Sequence, residues 1–438
     1  MHDSGDALRQ LQVGRRNILK GIGLGALGLM AVPALASCTG TATPGGGGGS
    51  TGTGTVSFGS YASDDVPKRA YAAFTTAFEK ESGAKVTTNT VAHNDFQNKI
   101  NTYLQGSPDE AFTWFAGYRM QYYAGKNLVA PIDDVWDKIG DNFSDGLAKA
   151  STAKDGKKYF VPNYNYPWGF FYRKSVWEKK GYTVPTTFDD LTALCKKMKA
   201  DGLIPIEFTD KDGWPAMGTF DYINMRVNGY QFHVDLCAHN ESWDQAKVKN
   251  VFDTWKALLP YYNPAALGLT WQEGAQNLGK GKSGMFLLGS FVMQQFTDPT
   301  VAADMDFFPF PEIAVEGQDA VEAPIDGLML SKRGGENKTA RDMLAFLGTA
   351  KGQEAYFKVD SSNLMTVKDA DTSGYSVLNK KFADVIGNAK SISQFLDRDA
   401  LPAMANNVMI PALQSFIKSG TIDTANLEAQ AKTLYASQ

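Results

Sequence analysis

The stretch VSFGSYASDDVPKRAYAAFTTAFEKESGAKV, from Val56 to Val86, decides how the rest of the chain is read. Val56 to Gly59 is short and apolar enough for a strand. From Val66 to Ser82 the rings of Tyr71, Phe74 and Phe78 recur at helical spacing, which puts them on one face. Gly83 ends that helix, because glycine enters the left-handed backbone region without a Cβ clash. Ala84 to Val91 returns to the alternation of a strand. A strand, a helix and a second strand in close succession predict a βαβ unit and a parallel sheet.

Toward the C-terminus the alternation continues. Phe96 to Leu104 is periodic as a helix, and Ala111 to Phe115 is an apolar strand-like run. A second α/β block opens near Tyr159-Phe160-Val161-Pro162, with helices at Phe188–Ala200 and Ala246–Leu259 around a strand at Ile204–Phe208. So much α/β sequence beyond residue 55 suits two lobes better than a single core.

Toward the N-terminus, Gly14-Arg15-Arg16-Asn17-Ile18-Leu19-Lys20 precedes a charge-free, glycine-rich stretch from Gly21 to Ser37. Paired arginines before such a segment predict a twin-arginine export signal over residues 1–37. A membrane-spanning first helix is the alternative, and Pro33 and the glycines weaken it. Leu35-Ala36-Ser37-Cys38 resembles the lipobox of bacterial lipoproteins, which implies cleavage before Cys38 and a lipid on its sulfur. Residues 38–55 then supply the lipidated cysteine and a Gly/Ser/Thr tether that cannot bury a core. The expected location is the outer face of the cytoplasmic membrane. Cys195 and Cys237 remain; two buried free thiols are expected, with a disulfide as the alternative.

With 43 basic and 47 acidic residues, and a net charge of −4, the chain has no nucleic-acid footprint. Gly281-Lys282-Ser283 imitates the end of a phosphate-binding loop, but Gln276 stands where that motif needs its first glycine. The local order is also reversed. A helix marked by Trp271, Ala275 and Leu278 precedes the glycines, and the strand-like Met285–Leu288 follows them. No cofactor motif is found.

Several segments, taken in order, resemble the extracellular solute-binding proteins of bacterial ATP-binding-cassette importers, in the branch that binds carbohydrates. Val56–Val86 resembles the family's opening strand–helix–strand. DEAFTWFAGYRMQYYAGKNLVAPID (Asp109–Asp133) resembles its third strand and the helix beyond it. YFVPNYNYPWGFFYRKSVWEKKGYTVPTTFDDL (Tyr159–Leu191) resembles the crossing into a second lobe. GKGKSGMFLLGSF (Gly279–Phe291), Ala323–Phe357 and QFLDRDALPAM (Gln394–Met404) complete the series. The resemblance implies an α/β, two-lobe periplasmic-binding-protein-like fold with discontinuous lobes, a ligand cleft between them and hinge crossings. Lobe 1 is expected at 56–165 and 322–372, and lobe 2 at 166–321 and 373–438. It also implies a monomer that captures a small carbohydrate for membrane permease subunits and performs no catalysis.

A neutral sugar needs flat aromatic platforms and hydrogen-bonding groups around them. Trp214 sits among turn residues, as a ligand platform or a surface-loop anchor. By resemblance, Trp271 and Phe291 occupy the positions of sugar-contacting aromatics, with Gly289 and Ser290 leading into the latter; core packing competes for Phe291. Ser63 and Asp64 follow the first strand, where family members bind ligand, although Asp64 could equally cap the next helix. Asn94, and Trp114 and Tyr118 around Gly117, are further loop candidates. Tyr164, Asn165 and Trp168 crowd the first crossing, together with Tyr166. Asp326 marks the return crossing. Arg398 and Asp399 near the end offer charge-assisted bonds, and an ion pair within Asp397–Asp399 is the alternative for Arg398.

A secreted glycoside hydrolase would share the aromatics and carboxylates. Asp133/Asp134 and Asp397/Asp399 are pairs only in sequence, which does not set two carboxylates across a bond. No zinc motif or nucleophile elbow appears, and His2, His93, His233 and His239 lack ligand spacing. An anionic ligand would call for more Lys and Arg at loop ends.

Overall fold

The structure, a computed structural model, describes residues 54–314 and 318–436; the expected export signal, Cys38 and the expected tether up to Thr53 lie outside them. Strand β1 (Thr55–Ser60) leads into helix α1 (Asp65–Ser82), which buries Ala70, Tyr71, Phe74 and Phe78. Gly83 closes the helix at φ 73° and returns its N–H to the Glu79 carbonyl. Strand β2 (Lys85–Thr90) then runs parallel to β1, with Thr55 opposite Lys85. Helix α2 (His93–Gln105), strand β3 (Ala111–Phe115) and helix α3 (Tyr118–Gly125) repeat the pattern, with β3 parallel to β1 on its other side. The opening stretch therefore folds as its periodicity requires.

The parallel sheet expected from these units is completed by an antiparallel strand. After β4 (Val161–Asn165) the chain passes through Tyr166-Pro167 into β5 (Trp168–Arg173), the middle of a second sheet. That sheet adds β6 (Ile204–Glu207), β7 (Ser283–Gly289) and β8 (Met305–Phe308), in the order β6-β7-β5-β8. The chain goes back through β9 (Ala320–Glu322) and Ala323-Pro324 into β10 (Ile325–Leu330). β10 lies antiparallel between β3 and β4, and β11 (Leu364–Met365) caps the edge, giving the order β11-β4-β10-β3-β1-β2. A returning strand enters from the opposite end, so it cannot be parallel to β3. β12 (Ser391–Ser393) pairs with β9 as a separate two-stranded ribbon.

The two large sheets define the two lobes of the fold. In the second, β5 and β7 are buried along both faces, which explains their near-continuous apolar sequence. Cys195 and Cys237 are buried and unpaired. Gly281 turns the chain at φ 67° between the helix Trp271–Gly279 and β7, so Gly281-Lys282-Ser283 is a connector. No helix among the described residues is long and apolar enough to cross a membrane.

Candidate functional site

The residues just before and after the crossings line a cavity of about 450 Å³ between the two sheets. Its floor is built on Asp326, at the start of β10, where the register shifts between Asp326 and Gly327. Asp326 Oδ1 accepts from Arg398 Nη1 at 2.7 Å and from the Tyr166 hydroxyl at 3.4 Å. Oδ2 accepts from the hydroxyls of Tyr61 at 3.0 Å and Tyr164 at 3.2 Å. Arg398 also donates through Nη2 to the Tyr166 oxygen at 2.6 Å and lies 4.0 Å over the Phe115 ring. Burial pushes the Asp326 carboxyl up, and the guanidinium and phenols oppose that shift. The same burial holds Tyr61, Tyr164 and Tyr166 far above the usual phenol range. These hydroxyls stay protonated as donors.

The side wall is aromatic. Phe291, in the short turn after β7, is met edge-on by Trp271 at 5.2 Å, Tyr166 at 5.4 Å, Trp214 at 5.9 Å and Trp168 at 6.2 Å. The capping box between Thr270 and Glu273 fixes the helix start and so sets Trp271 toward Phe291. Trp214 precedes the helix Pro215–Asn228, whose second N–H is taken by the buried Asp210 Oδ1 at 2.8 Å rather than by Trp214.

Two hydrogen-bonded pairs cross the mouth of the cavity. Gln272 Nε2 donates to Asp64 at 3.2 and 3.3 Å, and Asn94 Nδ2 donates to Asp212 Oδ1 at 2.9 Å. Asp64 occupies the N-cap position of α1, yet its side chain makes no cap hydrogen bond and reaches across the cleft instead. Burial raises the pKa of both Asp64 and Asp212, and the amide donors Gln272 and Asn94 counter it.

Of the residues singled out in the sequence, Ser63, Asp64, Asn94, Tyr164, Trp168, Trp214, Trp271, Phe291, Asp326 and Arg398 line this cavity. Six do not. Trp114 alternates to the inner face of β3 and packs fully buried among Phe96, Phe112, Phe115 and Tyr123. Tyr118 sits under the Lys154 ammonium, 5.4 Å away, on α3. Asn165 is held in β4 by pairing with both β10 and β11. Gly289 ends β7, and a Cβ there would come within 2.4 Å of the Phe291 ring, so its service is to leave that ring room. Ser290 is buried, with its hydroxyl 3.5 Å from Asn363 Oδ1. Asp399 turns away to accept the Gln394 N–H at 3.1 Å, and burial pushes its carboxyl up to about 6.

The cavity also exposes side chains that the sequence did not flag: Tyr61, His93, Gln97, Asp212, Gln272 and Asp397 among them. Tyr61 directly follows β1 and His93 opens α2 just after β2, in the strand-to-helix turns that drew attention to Ser63 and Asn94. The Thr270-x-x-Glu273 spacing is a helix-start signal by which Gln272 could have been placed. Asp397 stood out in the sequence only as a neighbour of Arg398 and Asp399, and Gln97 not at all, because only the tertiary fold brings them to the cavity.

Comparison with known proteins places this geometry. The bacterial solute receptor AcbH, described as having an exclusive substrate preference for β-D-galactopyranose, superposes with a TM-score of 0.85 at 44% identity, covering 88% of this chain and all of that one. An uncharacterised ABC transporter extracellular-binding protein of Pyrococcus horikoshii is 25% identical over 352 residues, 78% of this chain and 77% of the relative. The alpha-glucosides-binding periplasmic protein AglE of Rhizobium meliloti is 24% identical over 79% of each chain. The sequence profile described as bacterial extracellular solute-binding protein matches residues 62–354. With that match running over more than half of the chain, the chain belongs to the bacterial extracellular solute-binding proteins.

Proposed function

We propose that this protein captures a neutral sugar, a hexopyranose of the galactose type, in the cavity between its sheets and delivers it to an ABC importer. The observation that carries the reading is an aromatic wall centred on Phe291 facing the Asp326–Arg398 pair. A pyranose has an apolar C–H face for such rings and a rim of hydroxyls for the polar groups. Trp168 Nε1 is buried at this wall with no hydrogen-bond partner among the described residues, and Arg398 Nε and Asp397 Oδ1 form an ion pair at 3.7 Å without a hydrogen bond. A ligand reaching them makes bonds that the protein alone leaves unmade. The similarity to a galactopyranose receptor and to an alpha-glucoside-binding protein supports the same class.

The lobes are inferred to be 56–165 with 322–372, and 166–321 with 373–438, a division supported by the strand membership of the two large sheets. Closure of these lobes around the sugar would signal occupancy to the permease. The sixteen residues named from the sequence reduce to ten as ligand contacts. Anchoring through a lipid on Cys38 is supported by the order signal, cysteine, tether in the sequence. Replacing Cys38 by Ala should release the protein from membranes into the soluble fraction.

Calorimetry with D-galactose, D-glucose and related pentoses tests the central reading. Micromolar or tighter binding of D-galactose, with the sugar recovered unchanged, is expected. A chemically altered sugar would reveal an enzyme, and an inert panel would remove the sugar assignment.

A further inference from the structure

His93 begins α2, between the cavity and a buried arginine. Its ring meets Tyr61 edge-on at 4.9 Å, and its Nε2 lies 2.7 Å from Gln97 Nε2, one helical turn on. The oxygen of the same amide, Gln97 Oε1, accepts from Arg119 Nη1 at 2.6 Å. Arg119 is itself buried, and it is fixed by Asn406 Oδ1 at 3.1 Å and by Asp397 Oδ2 at 3.8 Å.

This chain of contacts has only one consistent proton arrangement. A guanidinium donates and never accepts, so the amide edge facing Arg119 must be the oxygen. The NH₂ edge is thereby turned toward His93, and Nε2 must accept from it. The single proton of a neutral imidazole then sits on Nδ1. Nδ1 has no hydrogen-bond partner among the described residues, and His93 is part of the cavity wall.

We propose that Arg119 and Gln97 are positioning residues that hold His93 as the neutral Nδ1–H tautomer, so that His93 presents a fixed donor to an oxygen of the bound sugar. The proposal rests on the sugar reading above and sharpens it. A hydroxyl or ring oxygen can accept from Nδ1–H; the ammonium of an amino sugar in that place cannot. Protonating the ring would set Nε2–H against the Gln97 NH₂ group. The charged and titratable groups around the ring act in the same direction on balance. Burial first, then the Arg398 and Arg119 guanidiniums, push His93 down to about 4, despite Asp326 and Asp397 beyond them and with the neutral Tyr61 phenol alongside.

The test is the long-range ¹H–¹⁵N spectrum of the histidine ring nitrogens in the sugar-free protein, with His93→Gln used to assign the signal. The expected pattern is a protonated Nδ1 and a bare Nε2, unchanged from pH 8 to pH 5. Gln97→Glu places an acceptor opposite Nε2. The proton should move there or the ring should become doubly protonated, and D-galactose affinity should fall at least about tenfold. Arg119→Met frees the amide to rotate and should produce a mixture of tautomers. A wild-type ring protonated on Nε2 overturns the proposal without reliance on any variant. So does a Gln97→Glu protein whose ring pattern is unaltered. A wild-type ring protonated on Nδ1 in a protein that binds no sugar overturns the sugar reading and with it the donor role, so the two failures are distinct.

Discussion

Asp326 collects three phenols and a guanidinium on one buried carboxylate, and Arg398 has no other carboxylate as close. Asp326→Asn keeps the shape but leaves the buried guanidinium without its closest counter-charge. It should destabilise the protein by about 3–5 kcal/mol. It should also weaken D-galactose binding by roughly tenfold to a hundredfold. Denaturant unfolding and calorimetry measure the two effects separately, and unchanged affinity would remove the pair from the site. Asp210 supports a prediction in pH. It is buried, and one oxygen has no partner among the described residues, so its carboxyl is pushed up to about 8 from an ordinary 3.8. Between those values the folded chain keeps a proton that the unfolded chain has lost. Stability from this group is therefore complete below about pH 4 and declines by about 1.4 kcal/mol per pH unit as pH rises toward 8. Asp210→Asn still offers an oxygen to the Ala216 N–H and has no proton to lose. Its stability relative to wild type should rise between pH 5 and pH 8; parallel unfolding free energies at the two pH values would contradict this. At this scale the sequence was legible where a residue sits in a loop after a strand, as with Asp64 and Asn94. It misled at Trp114, because β3 is buried along both faces and neither Trp114 nor Phe115 reaches the cavity.

β7 and the turn after it show how an element places a side chain. Gly289 pairs with Trp168 across β5 and β7, and its missing Cβ is the space the Phe291 ring fills. Gly289→Ala should push that ring away from Trp168 at a cost of about 1–3 kcal/mol, divided between stability and sugar affinity. A variant as stable and as tightly binding as wild type would show that the ring has room to spare. The helices announced themselves in sequence through spacing and stops: Tyr71, Phe74 and Phe78 with Gly83 for α1, and Trp271, Ala275 and Leu278 before the glycines for the helix that carries Trp271. The antiparallel entry of β10 did not. Ile325–Leu330 reads as a strand by itself, but its direction depends on where the preceding chain has been, and no local pattern records that.

For the whole molecule, the order of segments was enough to anticipate two lobes and a cleft, whereas the bonds across the mouth were not visible until α1, α2 and the helix of Trp271 were placed together. Asn94–Asp212 and Asp64–Gln272 tie opposite sides of the cavity. Each is worth about 1 kcal/mol net, so the double variant Asn94→Ala with Gln272→Ala should release bound sugar roughly thirtyfold faster. Small-angle scattering of the sugar-free variant should give a larger radius of gyration, and unaltered release and radius would show that the mouth is held by other means. The position of β10 has a different consequence, in the order of events as the chain is made. Tyr164 in β4 and Asp326 in β10 are bonded side by side but separated by 162 positions. While the intervening residues are being synthesised, β3 and β4 have bare edges that nothing yet covers, and such edges invite pairing with other chains. The first sheet is completed only after most of the second lobe exists. A nascent chain of this design is therefore open to mispairing at those edges until Leu330 has been made, and β10 is the strand that closes them.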